Sequence, residues 1–111
     1  MEITKKNNKI YFNDNDIATA NLSVKKRSQA VYLELIKVDK RYRRKKYATK
    51  MIYGVLDYLK ENSYTYISLS PLPLEADGIS LDELISFYEY FGFRRSIDAD
   101  YTYPYLMEKT L

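Results

Sequence analysis

The sequence contains no cysteine and no histidine. The first absence excludes disulfide frameworks, thiolate zinc sites and cysteine nucleophiles. The second excludes a Ser-His-Asp triad, imidazole metal clusters and histidine acid–base chemistry. Proton transfer is left to carboxylates, tyrosines, amines or water, and no metal is expected. There is also no apolar run near the roughly 20 residues that span a bilayer. No apolar segment follows the charged start Met1-Glu2-Ile3-Thr4-Lys5-Lys6. The expectation is a cytoplasmic protein with no membrane partner. Glycine and proline number three each, and two of the prolines and one glycine fall within residues 71–79. That stretch cannot be regular structure.

What remains is a chain of 111 residues, 46% hydrophobic and 30% charged. Its length predicts one domain, 1–111, with one core. The formal charge of +3 hides an asymmetry. Residues 37–50 hold eight basic side chains against the single acid Asp39, while residues 71–111 hold three basic and eight acidic ones. A concentrated positive segment on a mildly acidic body points to an anion-binding site.

The apolar pattern predicts a hairpin from residues 9–12 and 17–24 around the turn Asn13-Asp14-Asn15-Asp16, since Asn and Asp tolerate left-handed backbone. A second polar turn covers 25–28. Residues 30–38, Ala-Val-Tyr-Leu-Glu-Leu-Ile-Lys-Val, read as a well-buried strand. From Ala48 the period changes: Met51, Ile52, Val55, Leu56 and Leu59 follow on one helical face. Residues 64–70 alternate as a strand. Ser80-Leu81-Asp82-Glu83 fits a capping box opening a second helix, with Gly92 placed to end it. Residues 93–97 and 105–109 close the chain as strands. The order β-β-β-α-β-α-β-β predicts an α/β or α+β fold: one mixed sheet, a central parallel β-α-β and two main helices.

The central strand, basic loop and following helix form a ready anion site, because first-turn amides are unpaired and partly positive. A phosphate or pyrophosphate is the expected ligand. The segment Val38-Asp39-Lys40-Arg41-Tyr42-Arg43-Arg44-Lys45-Lys46-Tyr47-Ala48 resembles the central motif of the GNAT acetyltransferases, Val-Asp-Pro-x-Tyr-Arg-Gly-x-Gly-x-Ala/Gly. A second resemblance is Phe87-Tyr88-Glu89-Tyr90-Phe91-Gly92-Phe93, similar to the family's Phe-Tyr-Glu-x-x-Gly-Phe. Together they cover about residues 30–97, in the family's order. Both motif glycines are replaced, by Arg44 and Lys46, and no clear counterpart of the family's Asn stands near Ser70-Pro71. The short N-terminal part leaves no room for the two helices that usually follow the family's first strand.

The resemblance implies a small N-acetyltransferase with acetyl-CoA as co-substrate and an amine acceptor, small molecule or protein. It implies that amides of Arg43, Arg44, Lys45, Lys46, Tyr47 and Ala48 hold the pyrophosphate, and that the strand edge at Ile36, Lys37 and Val38 pairs with the pantetheine arm. It assigns Tyr88 the protonation of the departing thiolate, against the alternative of a core tyrosine. Glu34, the one acid inside the central strand, is the expected general base if it faces the cleft, against an exposed or ion-paired glutamate. Tyr32 shares its face as a weaker candidate. Glu75 and Asp77 could attract a cationic acceptor. The alternatives are a non-catalytic GNAT-fold module and a nucleic-acid-binding module using residues 37–50. Nucleic acid is the less expected partner, and the oligomeric state is not legible.

Overall fold

The structure, a computed structural model, describes residues 1–25, 27–72 and 79–111. Glu75 and Asp77, with most of the irregular stretch expected at 71–79, lie outside the described residues, as does Lys26 of the second turn. Seven strands form one sheet: β1 (Glu2–Lys6), β2 (Lys9–Asp14), β3 (Ala18–Val24), β4 (Ala30–Val38), β5 (Tyr66–Leu69), β6 (Arg94–Arg95) and β7 (Met107–Thr110). Helix α1 (Tyr47–Glu61) joins β4 to β5, and α2 (Leu81–Tyr90) precedes β6. The sheet order is β1-β2-β3-β4-β5-β7-β6. Only β4 and β5 run parallel, so the sheet is mixed, as the sequence predicts.

The first strand was not expected. β1 pairs antiparallel with β2 across a tight turn in which Asn7 has φ 55°. All five of its residues are exposed. A charged edge strand with neither face buried carries no alternation to read, and its lysines blunt the open edge.

The expected hairpin forms between β2 and β3. Asn15 and Asp16 take left-handed backbone, and Asn13 exchanges two side-chain hydrogen bonds with Asp16, each 2.8 Å. Ile10 and Phe12 of β2, and Ala18, Ala20 and Leu22 of β3, turn to the α1 side. There they meet Met51, Ile52, Val55 and Leu59, the predicted helical face. Asp14 is buried at the end of β2 and pairs with Lys50 on α1 at 3.5 Å. Tyr53 of α1 stacks edge-on against Phe91, just past α2, at 5.1 Å, so the two helices share this side of the sheet.

The decisive irregularity is in β4. Its pairing with β3 steps from Leu22↔Leu33 to Asn21↔Leu35, leaving Glu34 as the extra residue of a β-bulge. The bulge reverses the alternation. Val31 and Leu33 face the core before it; Ile36 and Val38 pack towards the core after it. The parallel ladder with β5 ends at the same point, at Leu33↔Leu69. The strand is therefore well buried only as far as Leu33. Glu34, Leu35 and Lys37 are exposed, which corrects the expectation of burial along its whole length. Beyond Leu33 the two central strands part, and among the described residues no strand covers that edge of β4. None of the described helices is long and apolar enough to cross a membrane.

Candidate active site

The basic segment leaves β4 through a short 3₁₀ turn, Lys40–Tyr42. Asp39 caps it by accepting from the Arg41 amide at 2.9 Å and from Arg41 Nε at 3.2 Å. The Arg41 guanidinium holds the Asp39 carboxyl below the usual carboxylate range. The Asp39 amide donates to the Ile17 carbonyl at 2.7 Å, tying the loop to the β2–β3 hairpin. Arg43 folds back, its Nε donating to the Val38 carbonyl at 3.2 Å. The loop is thus pinned where it leaves β4 by its own motif residues.

Arg44 and Lys46, which replace the two motif glycines, have φ 63° and 64°. Left-handed backbone is the glycine conformation, and a residue with Cβ adopts it at a cost of roughly 1–2 kcal/mol. With side chains that carry a Cβ, the loop holds a backbone that glycine adopts more readily. Lys46 is also the N-cap of α1, with no side-chain cap and no acid in the helix's first turn. A left-handed residue feeding a right-handed helix turns successive amides to one side, which is an anion-binding concavity. The first-turn amides of Tyr47, Ala48 and Thr49 have no helical partner there. Tyr42 and Tyr47 stack edge-on at 5.7 Å and wall the loop.

This loop forms one wall of a cleft of about 350 Å³. The strand edge supplies Ile36 and Val38, the loop and helix start supply Arg43, Arg44, Lys46, Tyr47 and Ala48, and α2 supplies Glu83, Leu84, Phe87 and Tyr88. A smaller crevice of about 70 Å³ lies in the gap between β4 and β5, lined by Leu33, Glu34, Leu35, Ile36, Leu69, Ser70, Leu72 and Tyr88. Ile36, Leu72 and Tyr88 border both spaces.

Tyr88 is 4% exposed, with its ring edge-on to Phe93 at 5.7 Å. Burial pushes its phenol up to about 12. Glu34 stands in the crevice wall at the bulge but is exposed, and its carboxylate accepts from Lys9 Nζ as an ion pair. This is the exposed, ion-paired glutamate that the sequence left open as the alternative. Of the residues singled out from sequence, the large cleft thus gathers eight, Ile36, Val38, Arg43, Arg44, Lys46, Tyr47, Ala48 and Tyr88. Lys37 and Lys45 are exposed and line neither space; Tyr32 is half-buried and lines neither.

Sequence reasoning missed Ser70, Leu72 and Phe87 as lining residues. Phe87 was within the second motif and could have been included. Ser70 carried one signal, its place directly after a strand at the point where the family's Asn is missing.

The chain matches the acetyltransferase (GNAT) family over residues 10–93. No curated protein matches it. Among solved structures it is similar to the anti-CRISPR protein AcrVA5, with TM-score 0.70 and 22% identity, over 91% of this chain and 97% of that one. It is similar to a GNAT-family acetyltransferase from Staphylococcus aureus, with TM-score 0.63 and 23% identity, over 93% of this chain and 66% of that one. It is also similar to the PaiA N-acetyltransferase of Thermoplasma acidophilum in complex with coenzyme A. There the TM-score is 0.67 and the identity 18%, over 93% of this chain and 60% of that one. The chain therefore spans nearly all of the anti-CRISPR protein but less than two-thirds of these two acetyltransferases. At these identities the likeness is one of fold.

Proposed function

The chain belongs to the GNAT acetyltransferase family, and from that premise we propose that it transfers the acetyl group of acetyl-CoA to a primary amine within one ternary complex. The acceptor is a small molecule or a protein amine, and the single domain 1–111 carries the whole site. The observation that carries this reading is the left-handed backbone at Arg44 and Lys46. Left-handed residues also serve ordinary turns of this chain, at Asn7, Asn15 and Asp16, but these two open α1 and line the cleft that Tyr88 borders.

Acetyl-CoA supplies the acetyl group already activated as a thioester. The amides at the start of α1 receive its pyrophosphate, and the cations of Arg44 and Lys46 add attraction at the rim. The free edge of β4 at Ile36 and Lys37 aligns the pantetheine arm; the Val38 carbonyl is engaged by Arg43. The amine nitrogen bonds to the acetyl carbon and the carbon–sulfur bond breaks. Tyr88 gives its phenolic proton to the sulfur. A phenol raised to about 12 remains protonated at neutral pH, and the burial that raises it also raises the basicity of a thiolate formed beside it. Glu34 at the bulge takes the proton that the amine loses, directly or through water, once Lys9 yields its place. No covalent enzyme intermediate is required, which suits a chain without cysteine or histidine.

Calorimetry with acetyl-CoA and desulfo-CoA tests this. Both are expected to bind, and Arg43→Ala and Lys46→Glu each to weaken binding by about 1–3 kcal/mol, the scale of a charge-assisted hydrogen bond. No measurable binding of either ligand would overturn the proposal.

A further inference from the structure

The edge of the sheet farthest from α2 carries an arrangement that the reaction above leaves unused. β1 ends the strand order, and among the described residues nothing pairs with its outer edge. The turn to β2 consists of Asn7 and Asn8 alone, so Lys6 and Lys9 are the pair that exchanges backbone hydrogen bonds. Alternation then turns the N–H and C=O groups of Ile3 and Lys5 outward, where a further strand can meet them.

The charge on this strand is unbalanced within one chain. Lys6 stands directly opposite Lys9, and like charges in that position repel. Lys9 is compensated by Glu34. Glu2 and Lys6 take part in no ion pair among the described residues. Ile3, between them on the strand, is 39% exposed.

Edge lysines deter most strand pairings. Here they leave one register open. When two copies of Glu2-Ile3-Thr4-Lys5-Lys6 run antiparallel about a centre at Thr4, Glu2 of each faces Lys6 of the other. Thr4 meets its own copy, and Ile3 faces Lys5. Opposite charges and paired threonines are favourable cross-strand neighbours. Lys5 already holds its ammonium over the Tyr64 ring, 5.7 Å from the centroid, so its methylene stem is what Ile3 of the second copy touches. A centre at Lys5 would set that lysine against its own copy, and a centre at Ile3 would take Glu2 away from Lys6.

We propose that β1 docks on β1 of a second copy of this chain, antiparallel and centred on Thr4. The contact is two-fold symmetric, and it joins two sheets edge to edge. No residue of β1 lines either crevice, so both clefts stay open. The inference rests on the sheet edge alone and is independent of the acetyl-transfer reading.

Sedimentation velocity of the full chain at low salt tests it. One strand pair buries less than the roughly 1,600 Å² of a standard interface, so the expected result is a dimer that forms and dissociates with concentration. Glu2→Lys and Lys6→Glu each set like charges across the contact and should each weaken self-association about tenfold. Mixed in equal amounts, these two variants should associate with each other as well as the wild type does with itself, because both charge pairs are then restored. Thr4→Cys provides a second readout, since the chain has no cysteine of its own. Opposed residues of a non-hydrogen-bonded pair lie about 4.5 Å apart, within disulfide reach, so this variant should oxidise readily to a linked pair of chains. Lys6→Cys, which would face Glu2 of the second copy, should link far more slowly. A wild type that remains a single chain at about millimolar concentration would overturn the inference. So would charge variants that associate like the wild type, a mixture that associates no better than its components, or equal rates of linkage at the two cysteines.

Discussion

Tyr88 joins a buried ring to a position on the border of both crevices. Its ring is held by Phe87 and Phe93 at 5.2 and 5.7 Å, so the side chain is anchored independently of its hydroxyl. Tyr88→Phe keeps those contacts and removes the proposed proton donor. The expected result is a near-native melting temperature, unchanged CoA affinity and turnover reduced about 10²–10⁴-fold. Steady-state kinetics beside calorimetry checks it, and full activity would transfer the role to water or the ammonium. The raised phenol also has a consequence for stability. Its value in the folded state, about 12, lies above the ordinary 10. The native chain keeps a proton that the unfolded chain releases, so this stabilisation is complete below pH 10 and is lost as pH climbs towards 12. Tyr66, raised to about 12 by burial and by its bond to Glu108, adds to the same slope. Urea midpoints at pH 9, 10 and 11 should therefore fall, and fall less steeply in Tyr88→Phe. At this scale Tyr88 was legible because a motif marked it. Ser70 was marked only by its place after a strand, because no composition or spacing reveals that a hydroxyl lacks a partner.

In the loop from Asp39 to the start of α1, the residues that depart from the motif stand in backbone that would suit the motif's glycines. The family resemblance marks Arg44 and Lys46 as departures; both stand in left-handed backbone, which glycine adopts without strain. Lys46 is exposed, so its chain extends from the rim and does not fill the cradle. Lys46→Gly should relieve the left-handed strain, offset in part by the greater freedom of glycine in the unfolded chain. A stability gain of up to about 1 kcal/mol is expected. The same variant should bind CoA several-fold more weakly at low salt, and the difference should shrink as salt rises. Tighter binding would mean that the lysine obstructs the site. The second helix offers a cleaner case of sequence legibility. Ser80 Oγ accepts the Glu83 amide at 3.1 Å, the hydroxyl half of the expected capping box. Ser80→Ala should cost about 1 kcal/mol in urea unfolding. Helices were readable because their faces repeat over several turns. β1 was not, with no buried face to mark it, and neither was the β4 bulge. A single inserted residue shifts a period-two pattern by one step, and Ala30–Val38 looks apolar throughout whichever side each residue faces.

The whole molecule places its charge where its sheet divides. Antiparallel strands β1 to β3 and the front of β4 form one flank, and β5, β7 and β6 the other, joined by four parallel pairs from Ala30↔Tyr66 to Leu33↔Leu69. The large cleft lies past that junction, walled by β4 and the start of α1 on one side and by α2 on the other. A ligand seated there bridges segments far apart in sequence and binds the folded chain alone. It should therefore raise the stability of the whole domain by mass action. At a hundred times its Kd the gain is about 2.7 kcal/mol. For a domain of this size that corresponds to a melting shift of about 10 °C. Acetyl-CoA is expected to produce this shift in differential scanning calorimetry and to retain most of it at raised salt, because amide contacts and pantetheine packing screen less than exposed ion pairs. A duplex oligonucleotide bound through the same basic segment would behave otherwise. Its contacts would be phosphate to lysine and arginine, and its effect should collapse within a few-fold increase in salt. Protection by the oligonucleotide that survives salt, with none from acetyl-CoA, would assign the positive segment to nucleic acid and leave the cleft without its proposed ligand.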